Sequence, residues 1–231
     1  MFCVLFEVHP RPERFDAYLE YAQLLRPELA RIEGFVDNVR YWSRRRAGWF
    51  LSLSTWRDEK ALVRWRTHAM HHDVQVKGRS EVFLDYHIRV GQVTADTHVP
   101  PGHGLREQRL DETETGAAKM VSIVEARPAP DLPGDAPPAA PLGLSAAQEG
   151  LVEWDVFDAI LTPGDGLALL SWRSAVDADA AERPLPAGAR RRRVRIVRDY
   201  RMSDRREAPQ YYPPEPEAGI RVLLAPGHAV E

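Results

Sequence analysis

Residues 49–79, WFLSLSTWRDEKALVRWRTHAMHHDVQVKGR, form the stretch that decides how the rest of the chain is interpreted. The alternation of side-chain character over residues 49–56 predicts a strand. After a turn, apolar residues recur at steps of three and four, which predicts one amphipathic helix over residues 58–77. Gly78 is expected to end that helix. The helix carries a tryptophan and three histidines, so chemistry is expected first in the pocket beneath it.

The elements on either side complete a βαββαβ pattern. Strands are predicted over residues 3–8, 35–42 and 82–90, and the strand over 35–42 is expected to form a hairpin with residues 49–56. A helix is predicted from Glu13 to Gly34, with Pro27 expected to kink it or divide it into two. This order predicts an antiparallel sheet with both helices on one face, the ferredoxin-like arrangement.

The second half of the chain repeats the first in weaker form. Residues 122–128 resemble residues 4–10, Trp172-Arg173 resembles Trp56-Arg57, and Asp199-Tyr200 resembles Asp85-Tyr86. The paired segments lie about 116 residues apart, and their order is the same in both halves. A degenerate tandem duplication is therefore predicted, in which the second copy has kept its strands and lost most of its helix.

Together these patterns predict an α+β fold of two ferredoxin-like (βαββαβ) halves. The predicted segments are a first half at 1–95, a connector at 96–118, a degenerate second half at 119–206 and a proline-rich tail at 207–231. Short helical turns are expected over 145–149 and 175–182. Residues 220–224 could add an edge strand.

Composition excludes several classes of protein. The 231 residues are 44% hydrophobic, enough to bury a substantial core, and the formal net charge of −3 gives no overall case for nucleic acid. A single cysteine, Cys3, excludes an internal disulfide and a thiolate-rich metal site. No signal peptide or membrane span is recognisable, so we predict a cytoplasmic protein without membrane or nucleic-acid partners.

The arginine run at 190–193 is expected to open a strand. It lacks the interleaved aromatic residues of a nucleic-acid site. We expect it to pair with acidic residues nearby in the sequence, namely Asp177, Asp179 and Glu182.

The helix and the strand after it carry a recognisable set of residues. Trp65, His68 and His71 are spaced by three, and after them stand Gln75, Gly78-Arg79, Phe83, Asp85-Tyr86 and residues 88–90, together with the earlier turn at residues 33–35. This set resembles the antibiotic biosynthesis monooxygenase family of dimeric α/β-barrel proteins. The resemblance is good over residues 2–93 and weaker over residues 119–204. The resemblance implies two ferredoxin-like units closing one barrel, as a monomeric pseudo-dimer or a homodimer.

The same resemblance implies an activity. Family members include oxygenases that oxidise polyketide quinols without metal or flavin, and haem-degrading enzymes. The oxygenases pair the helix tryptophan, here Trp65, with an asparagine and a tyrosine where this chain has Ala61 and His71. The haem degraders place an axial histidine where Gln75 stands. A monooxygenase acting with dioxygen on an aromatic, polyketide-like molecule without a cofactor is therefore expected; the alternatives are a haem-binding or haem-degrading protein and a non-catalytic small-molecule-binding barrel.

Candidate site residues follow from these patterns. Trp65 is expected to stack on the substrate, and His71 or His68 to act as general base, although a core aromatic and solvent-exposed histidines would give the same spacing. Substrate-binding residues are expected on the strands and the helix: Asn38, Arg40, Ser52, His72 and Tyr86. His68 and His72 have the spacing of a two-histidine metal site, but no third ligand is placed by the sequence, so no metal is predicted.

Overall fold

The computed structural model describes residues 1–126, 148–185 and 187–210. Three predictions lie outside these residues wholly or in part: the helical turn over 145–149, the edge strand over 220–224 and the tail over 207–231. Within the described residues there are eight strands, β1 (Phe2–Pro10), β2 (Phe35–Ser43), β3 (Phe50–Trp56), β4 (Phe83–Asp96), β5 (Met120–Ala126), β6 (Leu151–Ala159), β7 (Gly166–Trp172) and β8 (Arg190–Arg201). The α-helices there are α1 (Phe15–Arg31), α2 (Glu59–Thr67), α3 (Ala69–Lys77) and α4 (Ala175–Ala180).

The eight strands form one closed barrel in the order β1-β3-β2-β6-β7-β5-β8-β4. Every neighbouring pair is antiparallel, and β4 pairs with β1 to close the ring. The predicted hairpin is confirmed, with Trp42 opposite Phe50. The first four strands lie in the order β4-β1-β3-β2, which is the ferredoxin-like order, and the predicted α+β class is confirmed.

The inside of the barrel holds a packed apolar core, with buried ion pairs such as that of Arg89 with Glu7 beside it. Alternate residues of each strand point inward, and the side chains that meet there are fully buried, among them Leu5, Leu53, Ile123, Phe157 and Val194. A second core lies between the outer surface of the barrel and the helices, where Phe2 and Trp56 pack against Leu62 and Trp65. A binding cavity is therefore expected in the outer layer, beneath the helices.

The first helix differs slightly from its prediction. A 3-10 turn (Pro12–Arg14) precedes α1, and Pro27 lies inside one continuous helix, so the alternative of two short helices is wrong. The helix ends before Gly34, whose φ of +88° is accessible to glycine without strain.

The predicted single helix over residues 58–77 is wrong: the chain forms two helices that meet at His68. Asp58 caps the first by accepting from the Ala61 amide at 2.8 Å. The backbone of His68 is extended, with ψ of 127°. The Trp65 carbonyl, which would accept from Ala69 in a continuous helix, accepts from the His68 amide at 3.2 Å and faces His71 Nδ1 at 2.9 Å. The histidine side chain thus takes the place of a helical hydrogen bond.

The α-helix ends at Lys77 with Gly78 as its C-cap, as predicted, but Gly78 is not left-handed. Its φ is −54°, and the chain continues into a π-helical turn (Gly78–Val82) before β4. A Cβ at this position would lie 2.5 Å from the Phe83 ring. Glycine is required here because an aromatic ring occupies the space of a side chain.

The arginine run opens β8 as predicted and is held by carboxylates. Arg190 binds Asp96 at 2.7 Å and Arg192 binds Glu125 at 2.9 Å. Of the predicted partners, Asp179 and Glu182 do pair with this run. Asp177 does not: its carboxylate accepts from the hydroxyl of Ser174, the N-cap of α4, at 2.6 Å, and its amide donates back to that hydroxyl at 3.2 Å. The helix α4 ends at Ala180 instead of the predicted residue 182.

Candidate active site

A cavity of about 790 Å³ lies between the outer face of the β1–β4 sheet and the helices α1 to α3. Its floor consists of outward-facing strand residues, and its roof of residues from α2 and α3. On β3, for example, Leu51 and Leu53 point into the barrel while Ser52 and Ser54 point into the cavity. This alternation places polar side chains beneath the helices without exposing the barrel core.

The predicted strand residues Asn38, Arg40, Ser52 and Tyr86 all line this cavity. They face it from outside the barrel, because the barrel interior is filled. The Asn38 amide donates to Ser52 Oγ at 2.9 Å. Arg40 is half-buried, and its Nε has no hydrogen-bond partner.

Trp65 and His71 form a stack at the roof. Their ring centroids lie 4.1 Å apart with 14° between the planes, and both residues line the cavity. Trp65 is 9% exposed, so it is both a core aromatic and a cavity wall. The break at His68 makes this stack possible, since it lets the chain fold back over the indole.

The contacts of His71 fix its tautomer. A carbonyl can only accept, so Nδ1 at 2.9 Å from the Trp65 oxygen carries a proton, which leaves Nε2 as the acceptor of the neutral ring. The Gln75 amide nitrogen lies over the edge of this ring, 3.1 Å from Nδ1 and 3.3 Å from Nε2. Burial lowers the pKa of His71 to about 4; the nearby His68 and His72 also lower it, and the Trp65 carbonyl opposes them. The imidazole is therefore neutral at pH 7.

The other two histidines take different positions. His72 lines the cavity. His68 does not line it: its ring stacks on Trp65 at 5.8 Å, and its Nε2 lies 3.8 Å from Glu28. The structure thus brings His71 and His72 to the cavity with Trp65, and leaves His68 behind the indole.

One group of described residues has the spacing of a metal site, namely Glu7, His87 and Glu153. Arg89, inside the barrel, already binds both carboxylates, at 2.9 Å for Glu153. Burial alone would raise the pKa of Glu7, but Arg89, Arg46 and His87 hold it at about 2. The group is an ion-pair network at one end of the barrel.

Sequence reasoning missed the second half's contribution to the cavity. Arg198 and Tyr200 of β8 line it, and so does the segment after β8, residues 202–210, which we call the strap. Arg205 on the strap donates to the Tyr86 hydroxyl. Burial raises the pKa of Tyr200 to about 12 and also raises that of Tyr86. The sequence feature that could have indicated this contribution is the Asp-Tyr repeat, because it places the two tyrosines at matching positions of β4 and β8.

Glu207 fastens the strap to the connector and to β8. Its carboxylate accepts from Thr113 Oγ1 at 2.7 Å and from the amides of Glu114, Thr115 and Asp199 at 2.6 to 2.9 Å. Beyond it, the Gln210 carbonyl accepts from Arg66 of α2 at 3.2 Å. The start of the predicted proline-rich tail is therefore one wall of the cavity.

Among the described residues of the second half, the corresponding place is almost closed. Between β5, β7 and α4 there remains a void of about 30 Å³ beside Trp172 and Leu170.

Among the described residues, no helix combines the length and the apolar character needed to cross a membrane.

Comparison with known proteins adds a family relationship. The family model of the antibiotic biosynthesis monooxygenases matches residues 1–77. The chain is 49% identical over 220 residues to the jasmonate monooxygenase ABM of Pyricularia oryzae (strain 70-15). The aligned residues cover 93% of this chain and 99% of that protein.

Among solved structures, an aldoxime dehydratase matches with a TM-score of 0.52 at 11% identity, over 90% of this chain and 88% of that one. Another aldoxime dehydratase structure, in complex with butyraldoxime, matches with a TM-score of 0.53 at 10% identity, over 88% of this chain and 80% of that one. At such low identity these likenesses concern the fold alone.

Proposed function

The chain belongs to the antibiotic biosynthesis monooxygenase family, and we propose that it is a monooxygenase whose substrate binds between the β1–β4 sheet and helices α2 and α3. One observation carries this proposal: a neutral imidazole, His71, lies flat on Trp65 at the wall of a large cavity. Its fixed Nδ1 proton leaves Nε2 as a base. Apolar and aromatic walls with a polar floor suit a small ring-containing molecule.

In the proposed mechanism the reactive species is an anion of the substrate. His71 Nε2 takes a proton from a ring hydroxyl or an acidic C–H group, and the anion then reduces dioxygen. A CH₂ group and O₂ become a carbonyl group and water, so the substrate supplies every electron and neither metal nor flavin is required. Since the pKa of His71 is about 4, it is a weak base, and the anion needs further stabilisation. Arg40 and the other cavity arginines supply positive charge for this purpose.

Two substrate classes are proposed. An aromatic, polyketide-like quinol suits the Trp65–His71 stack and the tyrosines Tyr18, Tyr21 and Tyr86 around the cavity. A jasmonate is the second candidate, supported by the 49% identity to a jasmonate monooxygenase over nearly the whole chain. Both are small ring compounds that carry oxygen-containing functional groups.

Haem binding is the remaining cofactor hypothesis. A metal-ligating histidine commonly donates its other ring N–H to a carbonyl, and His71 does so to Trp65. The donor set therefore fits, with His71 Nε2 as the ligand and cavity arginines as partners of the haem carboxylates, once the Gln75 amide moves aside. Bound haem would supply the redox chemistry of its iron. A hemin titration followed between about 300 and about 700 nm tests this: a saturable band that shifts in His71→Ala would establish haem and overturn the cofactor-free mechanism.

We also propose that the two predicted halves arose by tandem duplication and that one chain closes the barrel as a monomeric pseudo-dimer. The strand order supports this, since β8-β5-β7-β6 repeats β4-β1-β3-β2. Analytical ultracentrifugation tests the oligomeric state; a stable homodimer would contradict the monomeric assignment.

The activity itself is tested by oxygen uptake with purified protein stripped of metal and flavin. The panel comprises an anthrone-type quinol and jasmonate, each with wild type and with His71→Phe, which keeps an aromatic ring on Trp65. We expect uptake with at least one substrate in wild type, reduced about 10²-fold to 10⁴-fold in the variant. No uptake with any substrate would favour the non-catalytic barrel.

A further inference from the structure

The arginines of this protein fall into two groups. Those of the barrel and its rim are paired with carboxylates, as Arg89 is with Glu7 and Arg190 with Asp96. Those that line the cavity are mostly not: among the described residues, no carboxylate lies within 4.0 Å of Arg26, Arg40, Arg66, Arg79, Arg198 or Arg205. The carboxylate of the cavity lining, Glu59, is bound to Arg109 at 2.7 Å. The described lining of the cavity therefore carries a strong excess of positive charge.

Four of these arginines converge on one end of the cavity, around the hydroxyl groups of Tyr86 and Tyr200. Arg205 donates to Tyr86 from the strap, and Arg66 anchors the strap through the Gln210 carbonyl. Arg79 lies close enough to lower the pKa of Tyr86, and Arg66 and Arg198 lower that of Tyr200, although burial raises both. Arg66, Arg79 and Arg198 are half-buried.

Half-buried guanidinium groups without an anion are costly, because each has lost water and gained no opposite charge. Guanidinium groups bind carboxylates strongly and in a planar, two-point geometry. We propose that this end of the cavity binds the carboxylate of an anionic substrate, through the cluster Arg66, Arg79, Arg198 and Arg205. The inference rests on the proposed function in that it takes this cavity to be the substrate site.

The shape of the cavity favours an organic carboxylate over inorganic phosphate. Toward Trp65 the walls are apolar, with Val4, Leu25, Leu29 and Val90 among them. A bare phosphate would occupy the charged end and leave those walls in contact with water. A ring compound with one carboxylate would satisfy both ends, its ring lying toward Trp65.

Two probes of the same shape test the proposal without turnover: 2-naphthoate, which carries the charge, and 2-naphthamide, which does not. Binding to the full chain is measured by calorimetry at pH 7, with inorganic phosphate as a competitor. We expect naphthoate to bind roughly 10-fold to 100-fold more tightly than naphthamide. Arg79→Gln and Arg205→Gln should each remove most of that difference and leave naphthamide binding unchanged.

The matched control is Arg64→Gln, on the same helix as Arg66 but bonded outside the cavity to the Glu33 carbonyl. It should bind both probes as wild type does, and thermal melts verify that every variant is folded. Equal binding of the two probes, no binding of naphthoate, or wild-type preference in both arginine variants would overturn the proposal, as would displacement of naphthoate by low millimolar phosphate. Failure of the oxygenase proposal is seen separately, as absent oxygen uptake in protein that still discriminates the probes.

Discussion

The pH dependence of turnover separates His71 from any ordinary histidine as the base. Burial lowers the pKa of His71 to about 4, against 6.5 for a solvated imidazole. If His71 is the base, kcat/KM rises with pH through about 4, where the ring loses its proton, and is level above that. A base with an ordinary pKa would place the same rise near pH 6.5.

The lowered pKa of His71 also determines the direction in which the free energy of unfolding changes with pH. Between pH 6.5 and pH 4 the unfolded chain binds a proton at this position and the folded chain does not. The unfolding free energy therefore falls as pH is lowered through this window, by about 3 kcal/mol for a pKa difference of this size. In His71→Phe this part of the acid sensitivity is absent, while the ring still covers Trp65.

The assay is oxygen uptake from about pH 3.5 to about pH 8, with urea unfolding at the same pH values. His68→Ala is the matched control, since His68 packs on the same indole but does not line the cavity. It should keep the rate, and its acid limb should stay well below pH 6.5, because burial, the largest cause of the lowered pKa of His71, is retained while the smaller contribution of His68 is lost. A limb near pH 6.5 in wild type, or turnover in His71→Phe equal to wild type, would refute the role of His71.

Substitutions at three further positions test the cavity wall, the buried ion-pair network of the barrel and the close packing of a glycine. Trp65→Phe should lower turnover with little loss of stability in urea melts, whereas Trp65→Ala should cost about 3 to 5 kcal/mol because it leaves a cavity. Glu7→Gln should destabilise the barrel by about 3 to 5 kcal/mol in denaturant because it removes the buried carboxylate from Arg89 and leaves the exposed Glu153 as the partner of that guanidinium; a loss under about 1 kcal/mol would contradict the ion-pair assignment. Gly78→Ala should cost about 1 to 3 kcal/mol because its Cβ would meet the Phe83 ring. Gly104→Ala, with nothing within 4 Å, should stay within about 0.5 kcal/mol of wild type.

The strands could be predicted from the sequence because each is coded by local alternation. Val39 and Tyr41 point inward and Asn38 and Arg40 outward, and one register satisfies both faces. The predicted strand residues of the site therefore share the cavity with Trp65 and His71. Their chemical roles stay predictions.

The break at His68 could not be read from periodicity. The break goes with a hydrogen bond from the His71 side chain to the Trp65 carbonyl, and the apolar spacing is equally compatible with a continuous helix. The arginine cluster was missed for another reason. Arg66 and Arg205 are about 140 residues apart, and only closure of the barrel through β4 and β8 brings them to one cavity.

The proposed duplication explains why, in the described part of the chain, the first half has a cavity and the second has almost none. On β3 the cavity floor is Ser54, whereas the matching position of β7 is Leu170, which packs with Trp172 and Ala178. In a homodimer of identical chains, a residue that fills one pocket fills both. A fused chain is free of that constraint, because its two halves have different sequences. The second half can fill its own pocket with side chains for stability, while Arg198 of β8 and Arg205 of the strap line the pocket of the first half. A single asymmetric site with arginines from both halves is therefore what fusion makes possible, and one naphthoate bound per chain is its expected stoichiometry.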